Sequence, residues 1–188
     1  MALTKVIGSG LGAIPAISGA NLTGLTDGQM PAGSVLQVVQ TVLVGTATYS
    51  HSNTSGDISG MSADITPSSS SNKVLVMAML CYHTTSDGCG NVIQLKRGST
   101  NLGGANEGTT FNGFMGIINN HGQANDTGQI YTTNGQFLDS PSTTSSTTYK
   151  LTHAGVAGTT PLVVNQNEAN TMGGISTLTL LEIAGRQL

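Results

Sequence analysis

The chain has no tryptophan, three phenylalanines, four tyrosines and two cysteines among its 188 residues. Charge is as scarce: Lys and Arg number 6, Asp and Glu 9, and together they make 8% of the chain, against roughly a quarter in an average soluble domain. Each scarcity removes a class. Six cations at a formal net charge of −3 leave no basic surface to neutralise phosphates, so nucleic acid is not an expected partner. No apolar run reaches the roughly 18–20 residues of a membrane-spanning helix, so no membrane insertion is expected. The Glu, Lys, Arg and Leu that heptads require are too few for a coiled coil or a helical bundle. Gly8, Ser9, Gly10, Gly12 and Pro15 break up the apolar stretch that a secretory signal needs, so no cleaved leader is expected.

What the chain has is small, hydroxylated and neutral. Gly numbers 26, Ser and Thr together 45, and hydrophobic residues are 37% of the total. The hydrophobics gather into short β-branched runs, which argues for a packed core rather than disorder. About ten such runs follow one another at roughly 8–14-residue spacing with turn signals between them, the pattern of an all-β sandwich or jelly roll.

Residues 1–33 read differently from 34–188. The first segment scatters single apolar residues among turn formers, with neither a helical nor a strand period. It is expected to be an extended N-terminal arm that docks against a neighbouring subunit or another partner, with Ile14, Ile17, Leu22 and Leu25 as its pegs. From Ser34 the strands begin. The run over 35–44 is long and β-branched, and is expected to pair near the terminal run over 175–183, bringing the ends of the domain together. The run over 73–82 is apolar on both faces and reads as a central strand. Val35, Val38, Val74, Val76, Leu178 and Leu180 are the expected core positions of these three strands. Ile58, Met61, Ala63 and Ile65 alternate with one slip. Asn134-Gly135 is the strongest hairpin signal in the chain. Pro67 and Pro141 each open a Ser/Thr-rich loop between strands.

Candidate chemistry is thin. His51, His83, His121 and His153 lack the local spacing of a zinc site and read as exposed polar residues. Most carboxylates stand beside Gly, Ser or Pro, where Asp caps turns. Glycan cleavage needs two facing carboxylates, and such sites usually also hold aromatic platforms, which this chain supplies poorly. No Gly-x-Ser-x-Gly elbow occurs. Gly8-Ser-Gly-Leu-Gly12 neither follows a strand nor opens a helix, so it is not a phosphate loop. Cys81 and Cys89 leave two states open, a disulfide across a hairpin or two free thiols. No catalytic, cofactor-binding or metal-binding residue is assigned, and no cofactor is expected.

One ordered set of segments resembles a known family. Pro31-Ala-Gly-Ser-Val-Leu-Gln-Val-Val-Gln40, Ile65-Thr-Pro-Ser-Ser-Ser-Ser-Asn-Lys-Val-Leu-Val76 and the Leu95-Lys-Arg-Gly-Ser-Thr100 turn come first. Leu138-Asp-Ser-Pro-Ser-Thr-Thr-Ser-Ser-Thr-Thr-Tyr-Lys150 and Ser176-Thr-Leu-Thr-Leu-Leu-Glu-Ile183 follow. Together they resemble a domain of tail-fibre and other virion structural proteins of tailed phages, marine and cyanobacterial ones especially. The resemblance implies a homotrimeric, jelly-roll-like antiparallel β-sandwich on the particle surface, and it brings no catalytic residues. The function expected from it is a non-enzymatic short tail fibre or accessory fibre. Its Ser/Thr/Asn-rich loops would then touch a host-surface glycan or protein. Capsid decoration, cementing the phage head, is the alternative, and a glycan-cleaving virion enzyme is a second one.

Overall fold

Alternation of apolar and polar side chains makes a strand with one face to bury, and two such sheets bury those faces against each other. The computed structural model describes residues 30–49, 56–84, 90–102, 113–118, 130–157, 161–167 and 169–185. Every regular element among them is a strand. In chain order these are β1 (Val35–Leu43), β2 (Ala47–Tyr49), β3 (Gly56–Ile65), β4 (Lys73–Thr84), β5 (Gly90–Arg97) and β6 (Thr100–Leu102). They continue with β7 (Met115–Ile118), β8 (Tyr131–Asp139), β9 (Thr147–Ala157), β10 (Leu162–Val164) and β11 (Ser176–Ile183). All the pairings are antiparallel.

One sheet runs β1-β11-β4-β10-β2, with β8 also on β4. Tyr82 pairs with Val164 and Tyr131, while Val74 pairs with Glu182 and Asp139. Strands β10 and β11 therefore share one edge of β4, and β8 takes the other. The second sheet runs β3-β9-β5-β6, with β7 also on β5. Taking β1 with β2, β10 with β11 and β6 with β7 gives eight strand positions. Their order is first-eighth-third-sixth in one sheet and second-seventh-fourth-fifth in the other, which is a jelly roll.

The two sheets share one core. Ile58, Met61 and Ile65 of β3 meet Val76 and Leu80 of β4, Ile93 and Leu95 of β5, Tyr149 and Leu151 of β9, and Leu178 and Leu180 of β11. The slip in the β3 pattern is a bulge between Asp57 and Ser62. Gly60 there has φ +82°, and an added Cβ would come within 2.9 Å of Leu43 Cδ1. The extra residue restores Ile58 and Met61 to the same buried face. At the base of the sandwich, Val35 pairs with Ile183. The Gly33 and Ala184 backbones close the ends of the domain with bonds of 2.8 Å, Gly33 N to Ala184 O and Ala184 N to Ser34 O.

Two expectations need correction here. Val74, Val76, Leu178 and Leu180 are fully buried, but Val35 is 49% and Val38 59% exposed. The register of β1 on β11 shifts between Val35 and Gln37. That bulge puts two residues three positions apart on one face, and the face is the outer one. Val39, Leu43 and the Thr41 position point inward instead, opposite Leu180, Ser176 and Leu178. Asn134-Gly135 is also not a hairpin. Both residues are extended in the middle of β8, opposite Met79 and Ala78. The glycine serves packing: a Cβ at Gly135 would lie 2.8 Å from Phe114 Cζ.

Candidate functional site

The two outer faces of the sandwich differ in chemistry. On the β3-β9-β5 sheet the outward residues of β3 are polar. Asp57, Ser59, Ser62 and Asp64 alternate with buried apolar residues along β3. Lys150 reaches Asp57 at 2.8 Å, and the Thr148 hydroxyl donates to Asp64 at 2.5 Å. Along β3 this face meets water, whereas Gln94 and Thr152, outward on β5 and β9, are 7% and 1% exposed.

On the β1-β11-β4-β8 sheet the outward residues are largely apolar. Register places Val38, Leu181, Leu75 and Leu138 side by side, one from each of four neighbouring strands. The next row is Gln40, Thr179, Met77 and Gln136, and the next Val42, Thr177, Met79 and Asn134. Val35, Val38, Val42, Met77 and Leu138 are each 44–59% exposed. Val44 and Ile175, 73% and 48% exposed, flank the Leu43–Ser176 pair at the far end of the same sheet. Of the exposed large hydrophobics among the described residues, Met172 alone falls outside this set. Lys73 is the charged residue of the face. A shallow, open depression of about 520 Å³ lies over its middle, lined by Met77, Met79, Asn134, Gln136, Thr177 and Thr179. Its floor is the backbone of Ala78 and Gly135.

Three buried polar clusters hold this sheet in shape. Asn165, 1% exposed and at φ +62°, donates from Nδ2 to Leu43 O at 2.6 Å and Gly45 O at 3.0 Å. Its Oδ1 accepts from Ser176 Oγ at 2.6 Å. The Ser176 hydroxyl in turn accepts from Cys81 N at 3.0 Å. This cluster bridges the excursion between β10 and β11. At the base, the Glu182 carboxylate accepts from Ser68 N, Ser68 Oγ and Asn72 Nδ2 at 2.7, 2.7 and 2.6 Å. That ties the proline-opened loop before β4 to β11. The second proline-opened loop is tied by Asp139, which accepts from Arg97 at 2.7 Å and from the Tyr149 hydroxyl at 2.6 Å. Burial pushes the Tyr149 phenol well above its ordinary value of 10.0, the Asp139 carboxylate adds to the rise, and the Arg97 guanidinium opposes it.

The residues singled out in the sequence are distributed as follows. Ile14, Ile17, Leu22 and Leu25, and also His51, His121 and Cys89, lie outside the described residues. Cys81 carries a free thiol on the outer side of β4. His83 and His153 are not exposed polar residues: they are 3% and 6% exposed. His83 lies one residue from the end of β4 and His153 midway along β9, where its ring stacks at a tilt on Tyr49, centroids 5.0 Å apart. Asp139, beside Ser140, is a buried clamp rather than a turn cap, and Glu182, on the face of Leu178 and Leu180, is buried as well. Among the described residues no group of three His, Cys, Asp or Glu could hold a metal ion. The apolar outer face was not singled out from the sequence. Its signal was the second apolar face of the 73–82 run, which read as burial within one chain.

No protein-family model matches the chain, and no curated protein matches it. Its fold is similar to solved structures of the VP2 protein of infectious bursal disease virus. A VP2 subviral particle matches at 12% identity and TM-score 0.40, over 80% of this chain and 42% of that one. A virus-derived T=1 particle matches at 12% identity and TM-score 0.41, over 81% of this chain and 37% of that one. The chain therefore spans less than half the length of the proteins it matches.

Proposed function

We propose that this chain is a non-enzymatic structural protein on the surface of a tailed-phage particle, a short tail fibre or accessory fibre built as a homotrimer. One observation carries the reading: a jelly roll whose one sheet turns charged and polar groups outward along β3, while the other has a largely apolar outer face with Lys73 as its charge. A domain that works alone in water has no use for such a face, whereas a subunit of an assembly buries it. The ordered sequence segments that resemble virion fibre domains support the phage class. The arm over 1–33 serves as the particle anchor in this reading. The Ser/Thr/Asn-rich loops serve as the host-facing end.

Host competition tests it. Purified protein added in excess should bind host cells and lower the adsorption of particles that carry it. Immunogold labelling should place it at the tail. A protein that is absent from gradient-purified particles and does not bind host cells would overturn the reading.

A further inference from the structure

We infer that the outer face of the β1-β11-β4-β8 sheet is the surface through which copies of this chain bind one another. The inference rests on the self-assembly in the proposed function and names the surface that performs it.

Three features of the face select a second copy as its occupant. The first is charge. Lys73 is the one charged residue across the three central rows and the base, so the face offers no field to recognise an acidic or basic partner. It also offers no repulsion to its own duplicate. The second is relief. The row of Val38, Leu181, Leu75 and Leu138 forms an apolar ridge, and the adjoining depression of about 520 Å³ is an uncharged hollow in which Met77 and Met79 stand among Asn134, Gln136, Thr177 and Thr179. A surface with both ridge and hollow is complementary to itself. A neighbouring copy can lay its ridge in this hollow, and rotational symmetry repeats the contact until the ring closes.

The third is area. Four strands spaced ~4.8 Å apart and about ten residues long at ~3.3 Å per residue cover roughly 600 Å² of flat sheet. The accessible area of a pleated surface exceeds its flat area. In a closed ring that area is divided between two neighbours, so two contacts together cover the face on every copy. The opposite sheet, with Asp57, Asp64 and Lys150 outward, could not be covered without stripping water from charged groups.

The experiment is mass photometry and sedimentation on the full chain, with Val38→Glu, Met77→Glu and Leu138→Glu as separate variants. Ser62→Glu on the opposite sheet is the control. All four positions are exposed in the single chain, so circular dichroism and thermal melting should show each variant folded. The expected wild-type mass is a multiple of 19.0 kDa. Each face variant should weaken association at least about thirtyfold, the scale of an interface hot spot, while the control leaves it unchanged. An assembled wild type whose face variants assemble equally well would overturn this surface and leave the self-assembly reading standing. A wild type that is monomeric at micromolar concentration would overturn both.

Discussion

Asn165 ties together parts of the chain that are far apart in sequence. Its side chain bonds the carbonyls of Leu43 and Gly45 and the hydroxyl of Ser176, and its backbone N–H bonds Cys81 O at 3.0 Å. Asn165→Ala strips partners from buried polar groups and places a Cβ without a local hydrogen bond in the left-handed region. The expected loss is roughly 2–4 kcal/mol, read as a lower urea midpoint at unchanged slope. Asn165→Gly should lose less, because the backbone strain disappears while the bonds are still lost.

Tyr149 supplies a pH test. Its folded phenol ionises well above 10.0, and Tyr49 and Tyr82 are also raised by burial. Unfolded tyrosines titrate near 10, so above that pH the native state holds more protons than the unfolded state. The stability from this source is therefore full below about pH 10 and falls as pH rises above it. Tyr149→Phe should make that alkaline fall shallower without removing it, since Tyr49 and Tyr82 remain. An unchanged alkaline slope in the variant would contradict the assignment.

At the scale of elements, the sequence shows which strands are internal better than it shows which way they face. The 73–82 run is β4, flanked on both edges, and β1 does pair with β11. The bulge in β3 was visible as a slip in alternation. The orientation of β1 was not, because both the inward and the outward sides of that run include Val. A bulge at its start, stabilised by pairing with β11, decided the matter. Asn134-Gly135 misled for a different reason. A hairpin forms when its flanking strands pair with each other, and here both halves find β4 first. Gly135 instead makes room for Phe114. Gly135→Ala should push that ring aside at a cost of about 1–3 kcal/mol, measured as a lower melting temperature. An unchanged melting temperature would show that the ring has space to spare. The clamps at Asp139 and Glu182 were half legible: Glu182 falls on the buried face of an alternating strand, but its donors on Ser68 and Asn72 come from a loop that no local pattern connects to it.

At the scale of the whole molecule, the sequence gives the all-β class through its short apolar runs and frequent turns. The jelly-roll order itself is set by pairings between residues more than a hundred positions apart, such as Val35 with Ile183. The apolar outer face was illegible for a related reason. Outward Val, Leu and Met from β1, β4, β8 and β11 become one surface only after the strands are laid side by side. A face carrying Lys73 as its charge should also bind its copy with little dependence on salt. Association should change less than about threefold between roughly 0.05 and 0.5 M salt, where a charge-driven contact would weaken steeply.

The most direct test of the account is the copy number of this protein relative to the major capsid protein in purified particles. The account predicts that the chain is present at a small fraction of the capsid protein, as expected for trimers on a tail. Absence from the particles would contradict the virion role altogether, and an abundance comparable to the capsid protein would contradict the fibre and move the trimers to the shell.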